Sequence, residues 1–169
     1  EADMSIGRVY YWFPDVPSVV AALADRSARR MAEVFGGAIT GQEGVTTPLL
    51  LKRAMAALCR YIDENPSTVA LCLSGNHEGP GHVLFEQMTE QSRALVGDRV
   101  PGISEEEIDF VARTAVGITL GMLHGYIAPG AHKDLIEQEI VYALSAWLYA
   151  RYPPPNDFSW REPRRAVRP

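Results

Sequence analysis

The sequence predicts an all-α protein, and three observations carry that expectation. Apolar residues recur at spacings of three and four along most of the chain, four segments open on a capping residue followed by a first-turn proline or an acidic turn, and no stretch alternates as a half-buried strand would. At 169 residues, with 47% hydrophobic and 22% charged composition, the chain can bury about two-thirds of its surface, enough for one helical body with a small appendage.

A short helix is expected from residue 5 to 13. Ser5 can cap its start, Ile6, Val9, Tyr10 and Phe13 share a face, and Pro14 stops it. Asp15 caps the next helix with Pro17 in its first turn, and Val19, Val20, Leu23, Met31, Val34 and Phe35 give it an apolar side until Gly36-Gly37 ends it. Residues 36 to 47, rich in glycine and threonine, read as a loop. Thr47-Pro48 opens a helix to about residue 64, and Asn65-Pro66 opens another to about residue 73. Residues 74 to 81 form a loop, followed by a helix from about 82 to 96. Ser104-Glu105-Glu106-Glu107 is a capping box that sets acids at the positive end of a long helix reaching about residue 127. Pro129-Gly130 turns the chain into a last helix ending near Tyr152, where Pro153-Pro154-Pro155 enforces an extended tail.

The helix that begins after Ser104 is apolar almost all round and must be enclosed. Gly117, Gly121 and Gly125 repeat every four residues and clear one stripe of side chains, which admits a close neighbour. Val116, Leu120, Gly121 and Leu123 on this helix, with Ile136, Ile140, Ala143, Leu144 and Trp147 on the last, are the expected contacts with a second copy about a two-fold axis. The alternative is that both helices are core of a single chain.

The functional signal lies at the beginning. The helical spacing leaves Arg8, Tyr11 and Trp12 off the apolar face, and guanidinium, phenol and indole donors suit phosphate oxygens and base edges, while Gly7 lets a backbone come close. The run Ala2-Asp3-Met4-Ser5-Ile6-Gly7-Arg8-Val9-Tyr10-Tyr11-Trp12-Phe13-Pro14-Asp15 resembles the recognition helix and following turn of the TetR family of transcriptional regulators, A-G-V-S-x-G-T-L/V-Y-x-H/Y-F-x-S/D-K. Arg8 replaces that family's usual threonine, and Val16 its usual lysine.

The resemblance implies a TetR-like all-α fold: a helix-turn-helix head and a helical ligand-binding and dimerisation body. Ser5, Gly7, Arg8, Tyr10, Tyr11 and Trp12 would then form the DNA-binding surface. It implies Arg8 and Tyr11 facing bases or phosphates, Tyr10 and Trp12 on backbone phosphates, and Gly7 against the DNA. A helix-turn-helix needs a supporting helix and turn first, so about two helices are expected ahead of Glu1. Residues 1–14 would be the remnant of the head, 15–35 a connector helix, 36–152 the body and 153–169 a Pro/Arg-rich tail.

The resemblance further implies a repressor that binds a double-stranded DNA operator as a homodimer. Its two recognition helices would reach successive major grooves roughly 34 to 36 Å apart, until a small molecule in the body moves the connector and releases the operator. Candidate pocket residues are Phe35, Met55, Leu58, Cys59, Ile62, Leu71, Phe85, Met88, Thr89, Ser92, Thr114 and Ile118. Methionine and phenylalanine suit an adaptable apolar cavity, and the hydroxyls of Thr89, Ser92 and Thr114 can orient a ligand, so an apolar or aromatic effector is expected. Core packing is the competing role for each.

Composition narrows the alternatives. The net charge is −5, but residues 31 to 159 hold sixteen acids against eight bases, whereas the first thirty are balanced by four arginines. An acidic body with a local basic face is compatible with phosphate contact at one end. Cys59 and Cys72 lack a C-x-x-C spacing and read as buried thiols. An enzyme is the rival class, but His77-Glu78 and His82 are spaced one residue beyond the zinc-protease motif and a Gly-Pro-Gly break separates them; no cofactor or metal is expected. The longest apolar stretch, residues 114 to 128, is too short for a membrane span, and no secretory signal is visible, which makes cytoplasm the expected location. A helical dimeric scaffold or small-molecule binder without DNA binding is the remaining reading.

Overall fold

The computed structural model describes residues 11–41, 44–66, 69, 80–100 and 102–153, and these residues are all-α, with no strand among them. The long helices are α1 (Val16–Ile39), α2 (Thr47–Glu64), α3 (Pro80–Arg99), α4 (Glu105–Tyr126) and α5 (Lys133–Arg151). The short helix expected over residues 5 to 13 lies mostly outside the described residues; Tyr11 and Trp12 are helical. Of the helix expected after Asn65-Pro66, only Asn65, Pro66 and Val69 are described.

Local chemistry sets most boundaries. The Asp15 carboxylate accepts the Ser18 N–H at 2.8 Å and the Ser18 hydroxyl as well, which satisfies an otherwise unpaired donor of the first turn of α1. The Ser104 hydroxyl accepts the Glu107 N–H at 3.2 Å and starts α4 on three acids. Thr46 precedes α2 and Pro48 lies in its first turn.

Two boundaries differ from the sequence expectation. α1 does not end at Gly36-Gly37 but continues for another turn to Ile39, where the Thr40 N–H and hydroxyl both donate to the Gly36 carbonyl. Gly36 is used for close packing instead: a Cβ there would fall 2.9 Å from the Gln91 carboxamide of α3. The extra turn buries Ile39, and the chain reverses through Gly41 at φ +66°. α3 likewise starts at Pro80, a residue suited to a first turn, and runs past 96 to Arg99.

The helices pack in a closed circuit: α1 on α2, α2 on α5, α5 on α4, α4 on α3, and α3 back on α1. Each contributes a stripe spaced at three and four, such as Ala24, Ala28, Met31, Ala32 and Phe35 of α1 and Leu51, Met55, Leu58 and Ile62 of α2. Leu50, Met55, Leu58, Leu84, Leu123, Ile140 and Leu144 are almost wholly buried. Truncating any one of these large side chains to alanine costs about 2–5 kcal/mol.

Polar ties lock the ends of the circuit. Tyr126 donates to Asp63 at 2.9 Å and Lys133 pairs with the same carboxylate, joining α2 to the α4–α5 turn. Arg93 of α3 reaches Asp109 of α4 at 2.6 Å, and Arg113 of α4 reaches Glu86 of α3 at 2.7 Å and Asp109 at 2.9 Å. At the other end of α5, Tyr152 donates to Glu107 and Arg151 pairs with it at 3.2 Å.

Candidate functional site

The centre of the circuit is a cavity of about 420 Å³ to which all five helices contribute, a size suited to a small organic molecule. Phe35 comes from α1, Leu51 and Met55 from α2, Met88, Ser92, Leu95 and Val96 from α3, Ala115, Val116 and Thr119 from α4, and Leu144, Leu148 and Tyr149 from α5. Arg99, Val100, Arg151, Tyr152 and Pro153 line it where α3 and α5 end, beside Thr47 at the start of α2.

The lining is chemically graded. Its body is aliphatic, thioether and aromatic, whereas the helix ends bring two guanidiniums and two phenols. Arg99 donates to the Val45 carbonyl and to Thr47, which fixes one guanidinium against the loop before α2. Arg151 sits 5.1 Å from the Phe110 ring centroid and donates to the Tyr152 hydroxyl at 3.0 Å. The Tyr152 hydroxyl and then Arg151 hold the Glu107 carboxyl below its usual range. Within the apolar part, the buried Thr119 hydroxyl donates to the Ala115 carbonyl at 2.9 Å and keeps its acceptor lone pairs, while Ser92 supplies a second buried hydroxyl.

Of the pocket residues expected from sequence, Phe35, Met55, Met88 and Ser92 line this cavity. Leu58, Cys59 and Ile62 are sealed in the core on the later turns of α2, and Thr89 is buried but does not line the cavity. Phe85 and Ile118 pack against the core from partly buried positions; Arg113 lies 5.9 Å over the Phe85 ring. The Thr114 hydroxyl donates to the Phe110 carbonyl at 2.8 Å. Leu71 lies outside the described residues. Sequence reasoning missed the whole α5 wall and the two arginines, although Leu144, Leu148 and Arg151 fall at helical spacing and signalled a common face.

The residues expected to meet a second copy divide in two. Val116, Leu123, Ile140 and Leu144 are closed inside the chain's own core, and Val116 and Leu144 line the cavity. Gly121 is exposed with nothing within 4 Å of a Cβ built on it, as is Gly117, while Leu120, Ile136, Ala143 and Trp147 are partly buried. Phe110 on α4 and Leu135 and Tyr142 on α5 are also exposed, at 52%, 56% and 42%.

At the opposite end of α1, Tyr11 and Trp12 are 81% and 69% exposed and meet edge to face with ring centroids 5.4 Å apart. Ser5, Gly7, Arg8 and Tyr10 lie outside the described residues. Val16, Val20 and Leu23 form an exposed apolar stripe on the first two turns of α1, at the i, i+4, i+7 spacing of a helix face that packs against a neighbour.

Among the described residues, no group of three histidine, cysteine, aspartate or glutamate side chains is placed to hold a metal, and no helix is long and apolar enough to cross a membrane. His82 is exposed; His77 and Glu78 lie outside the described residues. No family model matches the chain, and no curated protein matches it significantly.

Proposed function

We propose that the chain acts as a TetR-like transcriptional repressor, which binds DNA as a homodimer and is released by a small molecule held in the central cavity. The observation that carries this reading is the division of α1. Its last turns supply Phe35 to the cavity and bury Met31 and Ile39 in the body, while its first two turns leave Val16, Val20 and Leu23 exposed beneath the exposed Tyr11 and Trp12. A helix of 24 residues spans about 36 Å, so one rigid rod links a ligand chamber to an aromatic tip. An apolar stripe at that tip is what a packed head domain would cover.

The effector that fits is amphipathic. An apolar or aromatic portion suits Met55, Met88, Leu51 and Leu144, and a polar or anionic end suits Arg99, Arg151 and Tyr152 at the helix ends. Binding releases DNA only if the ligand favours one disposition of α1 over another, since a ligand with equal affinity for both shifts nothing.

The homodimer in this reading uses the outer stripe of α4 and α5, where Gly117 and Gly121 leave room for a helix of a second copy and Phe110, Leu135 and Tyr142 supply apolar surface. The test is a mobility shift with the full-length protein. Specific retardation of a duplex, reversed by a ligand that also quenches cavity access, supports the reading. A protein that takes up ligand in the cavity and dimerises yet retards no duplex is instead a small-molecule-binding scaffold.

A further inference from the structure

A second concavity, of about 570 Å³, lies between α1 and α2 and is distinct from the central cavity in every lining residue. Arg26 and Arg30 of α1 face Arg60 of α2 across it, with Tyr61, Glu64 and Asn65 beside them and Val34 and Ala57 as its apolar part. We propose that this groove is a binding site for a small, multiply charged phosphate compound, which clamps α1 to α2.

Three guanidiniums converge on one groove in a chain whose net charge is −5. Arg30 is paired with Glu33 at 2.7 Å. Among the described residues, Arg26 and Arg60 have no hydrogen-bond or ion-pair partner, although elsewhere Arg29, Arg93, Arg113 and Arg151 each engage a carboxylate. The three side chains are exposed, so water screens their mutual repulsion, and an anion seated among them meets all three positive charges at once. Planar guanidinium forks match phosphate oxygens two bonds at a time. Tyr61 lines the same space.

The groove favours a compact ligand over a long duplex. Glu64 lines it and Glu33 pairs with its Arg30, and these acids oppose an extended polyanion more than one seated among the arginines. A volume of about 570 Å³ exceeds what orthophosphate fills, so the class is a di- or triphosphate, free or esterified. The site does not depend on the repressor reading.

The experiment is titration of the full chain with inorganic tripolyphosphate, by calorimetry and thermal melting, for the unaltered protein and four surface variants. Saturable binding is expected, with the melting midpoint raised by roughly 5 °C or more at a hundred times Kd. Arg26→Ala and Arg60→Ala should each weaken it at least tenfold, Lys52→Ala, outside the groove, should leave it unchanged, and Glu64→Gln should tighten it several-fold. A tightening cannot be produced by a damaged fold. Absence of binding, or equal weakening in all four variants, overturns the proposal. It is overturned equally if Arg26→Ala and Arg60→Ala leave tripolyphosphate binding intact but weaken binding to duplex DNA, for the arginines would then track a nucleic-acid backbone.

Discussion

Gly36 of α1 and Gln91 of α3 touch so closely that a Cβ on the glycine would fall 2.9 Å from the carboxamide. The contact lies where α1 packs on α3, which supplies Met88, Ser92, Leu95 and Val96 to the cavity. Gly37, one residue on, is exposed with open space around it. Both lie within helix, so alanine gains about 0.5–1 kcal/mol of helical propensity at either position. At Gly36 that gain is opposed by displacement of Gln91, whose Oε1 is already buried without a partner among the described residues. Gly37→Ala is therefore expected to stabilise the protein, and Gly36→Ala to gain less, since the flexible Gln91 side chain must move aside. Equal urea midpoints for the two variants would refute the role given to Gly36.

Acid should loosen the ring of helices at its polar ties. The Lys133 hydrogen bond holds the Asp63 carboxyl below its usual range, Arg113 does so for Glu86, and Arg113 followed by Arg93 for Asp109. A carboxylate whose native pKa is lowered takes up a proton more readily in the unfolded chain. Its stabilising contribution is therefore complete above the ordinary values of about 4 and declines as pH falls through the native ones. The urea midpoint should drop between pH 5 and pH 3, and Asp109→Asn, which removes the carboxylate shared by Arg93 and Arg113, should flatten that drop. A wild-type midpoint constant over this range would contradict it.

Cys59 behaves in the opposite sense. Burial, then the charge of Glu137, pushes its thiol up to about 12, so the folded state keeps the proton after the unfolded chain has lost it, and stability declines as pH rises beyond about 9. In a Cys72→Ser background, Cys59 should resist a thiol reagent at pH 8 until the protein is unfolded, and then react stoichiometrically. Rapid labelling of the folded protein would show that the core around α2 opens readily.

The central cavity can be filled from within. Ser92 is buried, lines the cavity and sits on α3 among apolar neighbours, so Ser92→Phe should occupy the space a ligand needs. Anilinonaphthalene sulfonate, an aromatic anion of the expected class, should bind the unaltered protein and lose at least tenfold in affinity in this variant. Unchanged affinity, with folding intact by circular dichroism, would place the dye elsewhere.

Dimerisation through α4 and α5 is tested at Gly121. Because nothing lies within 4 Å of a Cβ there, Gly121→Glu should leave the protomer folded and halve the mass observed in sedimentation. An unchanged sedimentation mass would remove this stripe from the interface.

Much of the helical layout was legible in the sequence because its signals are local. Asp15 with Pro17, Thr47-Pro48 and Ser104 with its three glutamates mark helix starts whatever surrounds them. Gly36-Gly37 misled for a tertiary reason, since a glycine demanded by packing against Gln91 looks like a glycine that ends a helix. The cavity was half legible. Phe35, Met55, Met88 and Ser92 line it, but the α5 wall was assigned to a dimer, because an apolar helix face does not say whether it meets its own chain or a copy. Arg151 shares the helical face of Leu144 and Leu148, but Arg99 joins the site only through the convergence of helix ends far apart in sequence, and no local pattern carries that. The groove of Arg26, Arg30 and Arg60 was invisible for the same reason.

In the proposed repressor, the helix that ends in Tyr11 and Trp12, just ahead of α1, reads DNA. Selection of duplexes from a random pool by the full-length protein, followed by sequencing, tests it most directly. A dimeric repressor enriches a near-palindrome with half-sites about one helical turn apart, and loses it when Trp12 is replaced by alanine. Recovery of no sequence above the starting pool, from folded and dimeric protein, would contradict it.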